Sequence, residues 1–135
     1  MNLSDIETRS DIEALMTEFY SVAIYDAEIG HHFLGMDLDE HLPVIVDFWE
    51  KALFSRPVYY GNPLIVHQKL DEKNAMTPEH FVRWVDIFVS SVDRLFAGEV
   101  ADKAKYQARM IADSINQRLN EQSRFQGLNT HPRPY

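Results

Sequence analysis

The stretch "GNPLIVHQKL", residues 61–70, predicts a short helix that carries a histidine on its apolar side. Asn62 can cap this helix, and Pro63 suits the first helical position, where a missing amide hydrogen costs least. Three residues then follow at a spacing of three: Leu64, His67 and Leu70. Because an imidazole between two leucines is more often a satisfied core residue than a ligand, the rest of the chain has to decide the role of His67.

The residues before this segment predict two longer helices. The sequence "SDIE" at 10–13 has the pattern of a capping box, in which Ser10 and Glu13 satisfy each other's backbone amides. Behind it, apolar residues recur at helical spacing: Ile12, Leu15, Met16, Phe19, Tyr20 and Ala23. A second helix, from about Asp39 to Phe54, carries one apolar face formed by Leu42, Ile45, Val46, Trp49, Ala52 and Leu53.

The residues after the segment predict two more helices. Thr77 and Pro78 start one that Gly98 ends, with an apolar face of Phe81, Trp84, Val85, Phe88, Val92 and Leu95. The last helix runs from about Glu99 to Leu119 and packs through Ala101, Ala104, Ala108, Ile111, Ala112 and Ile115. Strand-like alternation is limited to "VYY" at 58–60. We therefore predict one all-α domain over residues 1–120 and a fraying tail over 121–135.

Composition narrows the function further. The chain has no cysteine, which excludes disulfides, iron–sulfur clusters, thiolate catalysis and cysteine-bound zinc. Its net charge of −8 argues against nucleic acid as a partner, because nucleic-acid affinity depends on basic residues that neutralise phosphates. No apolar run approaches the ~20 residues that span a bilayer. With a polar, acidic start, the chain is expected to be cytoplasmic and to have no membrane partner.

The histidines offer few metal-binding patterns. Neither HxxxH nor HExxH occurs, which weakens a zinc-hydrolase interpretation. "EIGH" at 28–31 is a single Glu-x-x-His motif, whereas a di-iron bundle needs two. On a helix, the adjacent His31 and His32 would point about 100° apart, so they are not expected to chelate one ion.

Three further residues suggest a pocket around His67. Tyr20 and Trp84 each lie on a core-facing stripe and carry a polar hydrogen that needs a partner once buried. His41 precedes Ile45 by one helical turn. Polar groups on an apolar lining are typical of a cofactor site, and haem fits these parts. Haem takes one neutral imidazole as axial ligand, and hydroxyl, indole and imidazole donors can stabilise a diatomic gas on its other side.

An ordered series of motifs extends over roughly residues 10–119: "FY" (19–20), "IGHHF" (29–33), "EH" (40–41), "DFW" (47–49), "YGNPL..H" (60–67) and "HF.RW...F" (80–88). This series resembles the truncated haemoglobins, specifically group III. The resemblance implies a two-over-two helical sandwich around haem b, iron protoporphyrin IX. It implies His67 as the proximal iron ligand and Tyr20 as the distal tyrosine.

The same resemblance implies roles for further residues. His41 corresponds to the distal gate, Ile45 to the residue one turn further, and Trp84 to the distal tryptophan. The haem-lining positions that it implies are Phe33, Phe48, Trp49, Leu64, Leu70, Phe81 and Phe88. Tyr60, Lys69 and Arg56 are expected near the propionates. Pro43 follows His41 by two residues, which leaves open whether that imidazole lies over the iron or turns outward.

The resemblance favours an oxygen-binding globin, whose ligands are dioxygen, carbon monoxide and nitric oxide. Two other classes stay open on the sequence. A polar distal pocket also suits peroxide cleavage or nitric oxide dioxygenation, and both would need a separate reductase. A haem-free helical bundle could instead serve as a metal-dependent hydrolase or as a partner-binding module.

Overall fold

The computed structural model describes residues 2–59 and 61–121. Within these residues the chain forms five α-helices, namely α1 (Arg9–Ala23), α2 (Leu38–Phe54), α3 (Pro63–Lys73), α4 (Pro78–Leu95) and α5 (Glu99–Asn116). A short 3₁₀ helix, Gly30–Phe33, precedes α2, and a π-helical turn, Gln117–Glu121, follows α5. The described residues contain no strand, so the all-α prediction is confirmed. They also contain no helix long and apolar enough to cross a membrane. Residues 122–135 of the predicted tail lie outside the described part.

The first helix begins earlier than the sequence pattern predicts. Its capping box joins Thr8 to Asp11, so the prediction of a box at 10–13 is wrong. The Thr8 hydroxyl accepts from the Asp11 amide at 3.2 Å, and the Asp11 carboxylate accepts from the Thr8 amide at 3.0 Å. That carboxylate also accepts from the Glu7 amide at 2.8 Å. Asp11 therefore satisfies two backbone donors ahead of the helix, which favours the earlier start.

The core lies between α1, α2, α4 and α5. In α1 the buried residues are those that the spacing predicts, from Ile12 to Ala23, and in α5 the alanine stripe is likewise buried. Stacked rings join α2 to α4, with the Trp49 and Phe88 centroids 4.8 Å apart and those of Phe88 and Trp84 5.4 Å apart. A smaller cluster of buried residues near the end of α5 consists of Phe81, Ala112, Ile115 and Leu119.

Gly98 begins α5 rather than ending α4. Helix α4 ends at Leu95, and Gly98 is the N-cap of α5 with a φ of 145°, a left-handed conformation that favours glycine. The Asp5 carboxylate caps the same helix, accepting from the Val100 and Ala101 amides at 2.9 and 2.8 Å. Burial alone raises the pKa of Asp5, but the backbone hydrogen bonds outweigh it and lower the pKa overall. Asp5, near the start of the chain, thus caps the N-terminus of α5.

We expect Gly98→Ala to destabilise the protein by about 2 kcal/mol or more, because the positive φ becomes strained and the capping carboxylate is displaced. A Cβ at this position would clash with the side chain of Asp5. Gly35→Ala is the matched control, since Gly35 also has a positive φ, 79°, but its Cβ would meet nothing within 4 Å. Urea unfolding should show the larger loss in Gly98→Ala, and equal losses would argue against the role of the cap.

Candidate cofactor site

A cavity of about 390 Å³ lies among the helices, and each of α1 to α5 contributes to its wall. This volume is in the range of small-molecule sites, roughly 300–1,000 Å³. Most of the lining is aromatic and aliphatic, with a few tyrosine, histidine and tryptophan side chains among it. The cavity therefore combines an apolar wall with a small number of polar groups.

Helix α3 borders this cavity rather than packing tightly against a neighbouring helix. None of its described side chains is fully buried. Four residues turn toward the cavity: Pro63, Val66, His67 and Leu70. Their spacing of three, one and three is that of one helical face. Leu64, which the sequence placed on the same side as His67, packs against the smaller cluster around Phe81.

The imidazole of His67 is held in one tautomer. Its Nδ1 lies 2.6 Å from the carbonyl oxygen of Pro63. Because a carbonyl can only accept, Nδ1 carries the proton and donates, which leaves the lone pair on Nε2. Burial lowers the pKa of His67, so the neutral ring is favoured. A neutral imidazole oriented through its other nitrogen is the usual state of a metal-ligating histidine.

Tyr20, His41 and Trp84 share the cavity wall with His67. The Tyr20 ring is buried, and its centroid lies 5.6 Å from that of Phe33 and 6.4 Å from that of His41. Burial raises the pKa of Tyr20 well above its ordinary value, so the hydroxyl remains a hydrogen-bond donor. The structure thus brings together three polar donors from α1, α2 and α4.

His41 lies on the cavity wall even though Pro43 follows it inside α2. The helix begins at Leu38, where the Asp37 carboxylate caps it by accepting from the Glu40 amide at 3.3 Å. Pro43 therefore does not delay the start of the helix past His41. Burial lowers the pKa of His41, which favours the neutral ring here too.

The other sequence-predicted residues are placed as follows. The cavity wall includes Phe33, Ile45, Phe48, Trp49, Leu70 and Phe81. Phe88 is fully buried in the core, stacked between Trp49 and Trp84, and does not reach the wall. Tyr60 lies outside the described residues. Arg56, expected near a propionate, pairs with the buried carboxylate of Glu50 at 2.6 Å.

Several residues of the cavity wall were not among the site residues that the sequence predicts. Val66 carried a usable signal, since it lies on the same helical face as His67. Met16, Ile111, Ala112 and Ile115 had been predicted to be core residues, and they reach the cavity from the apolar faces of α1 and α5. Ile29, Leu34, Gly35, Met36, Val44, Tyr59 and Met76 also line it. Most of these lie in loops, where no periodicity marks the buried side.

The structure also brings three histidines together: His31, His32 and His80. The centroids of the adjacent His31 and His32 rings lie 4.1 Å apart, and Nε2 of His32 lies 3.1 Å from Nδ1 of His80. The expected divergence of His31 and His32 does not occur, because one ring nitrogen from each of the three histidines lies within 4.8 Å of the other two. The angle between successive Cα–Cβ bonds does not fix where rings end, because rotation about χ1 and χ2 moves them. Burial, helped by the two neighbouring rings, lowers the pKa of His32 to about 4.

An ion pair holds the loop after α1 against α4. The Arg83 guanidinium donates to Oδ1 of Asp26 from Nη2 at 2.7 Å and from Nε at 2.8 Å. The second oxygen of Asp26 accepts from the amides of Glu28 and Ile29 at 3.0 and 3.2 Å. Asp26 therefore fixes the 3₁₀ helix, which carries His31 and His32, close to the first turns of α4.

A solved structure resembles this fold over most of the chain. The crystal structure of the group III truncated haemoglobin from Campylobacter jejuni matches with a TM-score of 0.77 and 27% identity. The match covers 88% of this chain and 95% of that protein. No family model and no curated protein matches the chain.

The match extends over nearly the full length of both chains, as the ordered motifs predicted. It confirms the all-helical arrangement and the resemblance that those motifs carry. The chain has the fold of a truncated globin, similar to the group III truncated haemoglobins.

Proposed function

We propose that the protein binds haem b and reversibly binds dioxygen or another small diatomic gas there, with His67 as the proximal ligand. One observation carries the proposal: an imidazole held in a single tautomer shares an apolar cavity with three polar donors. The structural similarity to a truncated haemoglobin supports it.

The residues present suit haem. When bound, haem would supply an iron atom that can coordinate an imidazole nitrogen and a diatomic gas. His67 offers Nε2, because the carbonyl oxygen of Pro63 engages Nδ1. The exposed apolar face of α3 and the rings of Phe33, Phe48 and Trp49 provide the flat apolar walls that a macrocycle needs.

The distal residues would hold the gas and keep water away from it. The Tyr20 hydroxyl, the Trp84 indole and the His41 ring can donate to a ligand that gains negative charge. Ile45, one turn after His41, adds an apolar side chain to the same wall. Carbon monoxide and nitric oxide would occupy the same space. A separate reductase is the protein partner that redox cycling of the iron would require.

Hemin titration of the purified protein tests this proposal. We expect a Soret band that saturates at one haem per chain, and a dioxygen adduct after reduction that oxidises slowly. Rapid turnover of hydrogen peroxide or nitric oxide instead would favour the enzymatic alternatives. A protein that stays colourless in excess hemin would contradict the proposal and favour a haem-free bundle.

A further inference from the structure

We propose that His31, His32 and His80 form a second metal site, separate from His67, for a divalent cation of the Zn²⁺ type. One ring nitrogen from each of the three lies within 4.8 Å of the other two. Imidazole is a preferred ligand of Zn²⁺, Cu²⁺ and Ni²⁺. The cluster does not include His67, although His32 and His80 line the same cavity.

The spacing of the rings is close to that of a coordinated set. Nitrogens that bind one tetrahedral Zn²⁺ at about 2.0–2.1 Å lie roughly 3.3 Å apart. Nε2 of His32 and Nδ1 of His80 are 3.1 Å apart before any ion enters. His31 is partly exposed, so its ring can turn to complete the set. Three histidines then leave the fourth position to water, as in other three-ligand zinc sites.

The hydrogen bonds of the protein do not satisfy both ring nitrogens of His32, the buried residue of the cluster. The Thr77 amide donates to Nδ1 of His80 at 3.3 Å, so that nitrogen carries a lone pair. Nε2 of His32 must therefore donate to it, and Nδ1 of His32 keeps a lone pair. Within the described residues this buried Nδ1 has no hydrogen-bond partner, and the side chain as a whole is only 8% exposed. Buried polar atoms without a partner are rare, so the protein's own hydrogen bonds do not fully satisfy this ring. Coordination through Nε2 of His32 would replace the 3.1 Å hydrogen bond to His80 and move the ring proton to Nδ1.

The surroundings of the cluster supply one carboxylate and a fixed frame. The negative charge of Asp71 acts on His32, although burial and the neighbouring rings outweigh it, and the Asp71 carboxylate accepts from the Met76 amide at 2.7 Å. The Asp26–Arg83 ion pair fixes the 3₁₀ helix beside the first turns of α4. A bound ion would therefore join two elements that are already held together, which limits the ordering cost of binding. His32 and His80 also line the large cavity, so the ion would brace its wall.

Calorimetric titration of the full chain with Zn²⁺ tests the inference. The titration is designed for haem-loaded protein and for His67→Ala protein, so that His67 contributes in neither case. We expect one ion per chain and a rise in Tm. His31→Gln should weaken binding at least about 10-fold, since even outer-shell changes cost that much. Zinc-edge X-ray absorption, which does not overlap with iron, should show three imidazoles.

His41→Gln is the matched control, because it removes a histidine outside the cluster and should leave Zn²⁺ affinity unchanged. His80→Gln is a second test. Because His80 also caps α4, circular dichroism first establishes that this variant is folded. Equal Zn²⁺ affinity in the parent protein and in both cluster variants would overturn the proposal. So would an absorption spectrum with fewer than three imidazoles, or a loss of affinity in His41→Gln equal to that in His31→Gln.

Discussion

His67→Ala should be isolated without haem, or should lose it rapidly to an acceptor protein. The substitution removes the imidazole that the cavity face of α3 offers for coordination, and the other described residues of that face, Pro63, Val66 and Leu70, carry no side-chain ligand that could replace it. We expect the affinity for hemin to fall by about 100-fold or more, because changes in the residues around a metal ligand already cost about 10–100-fold. Competition for hemin, followed by the Soret band, measures the loss.

Two controls separate ligation from folding in this experiment. His41→Ala removes another imidazole from the same cavity and should keep haem. Free imidazole added to His67→Ala should restore haem retention and the parent Soret band, since the cavity left by the side chain can admit the missing ligand. Hemin affinity that stays at the parent value in His67→Ala would refute the proximal assignment, and with it the proposed function.

The double variant Tyr20→Phe with Trp84→Leu should release dioxygen roughly 30-fold faster, because each lost neutral hydrogen bond is worth ~1 kcal/mol. Tyr20→Phe deletes a single oxygen from a ring that is packed edge-on against Phe19 and Phe33, so the packing should persist. Stopped-flow displacement of dioxygen by carbon monoxide measures the release rate.

Tyr25→Phe is the matched control for the loss of a hydroxyl, since Tyr25 is 84% exposed and outside the cavity. Its release rate should equal that of the parent protein. Unchanged release in the double variant would show that these side chains do not donate to the ligand. If the double variant does release dioxygen faster, the two single variants show which donor is responsible. A fold-increase in the double variant that exceeds the product of the two single fold-increases would indicate that each donor compensates for loss of the other.

The sequence-based predictions agree best with the structure where the period of the helix alone decides which residues are buried. The apolar face of α1 is buried residue for residue, because a helix of 3.6 residues per turn can present that set only to one side. The site was less predictable on α3. A strict spacing of three, from Leu64 to His67 and Leu70, rotates around a helix of 3.6 residues per turn and does not follow one face. The face toward the cavity consists instead of Pro63, Val66, His67 and Leu70.

The sequence by itself determined the helical class, the buried faces of α1 and α5, the lack of thiol chemistry and the candidate imidazole at position 67. Each of these depends on residue type or on spacing within one turn or two. Only the tertiary structure decided which groups meet across the chain: Asp5 with the first turn of α5, and His31 and His32 with His80. Contacts between residues 48 or 95 positions apart leave no local period, because they depend on how whole helices pack and not on the dihedral angles of one segment.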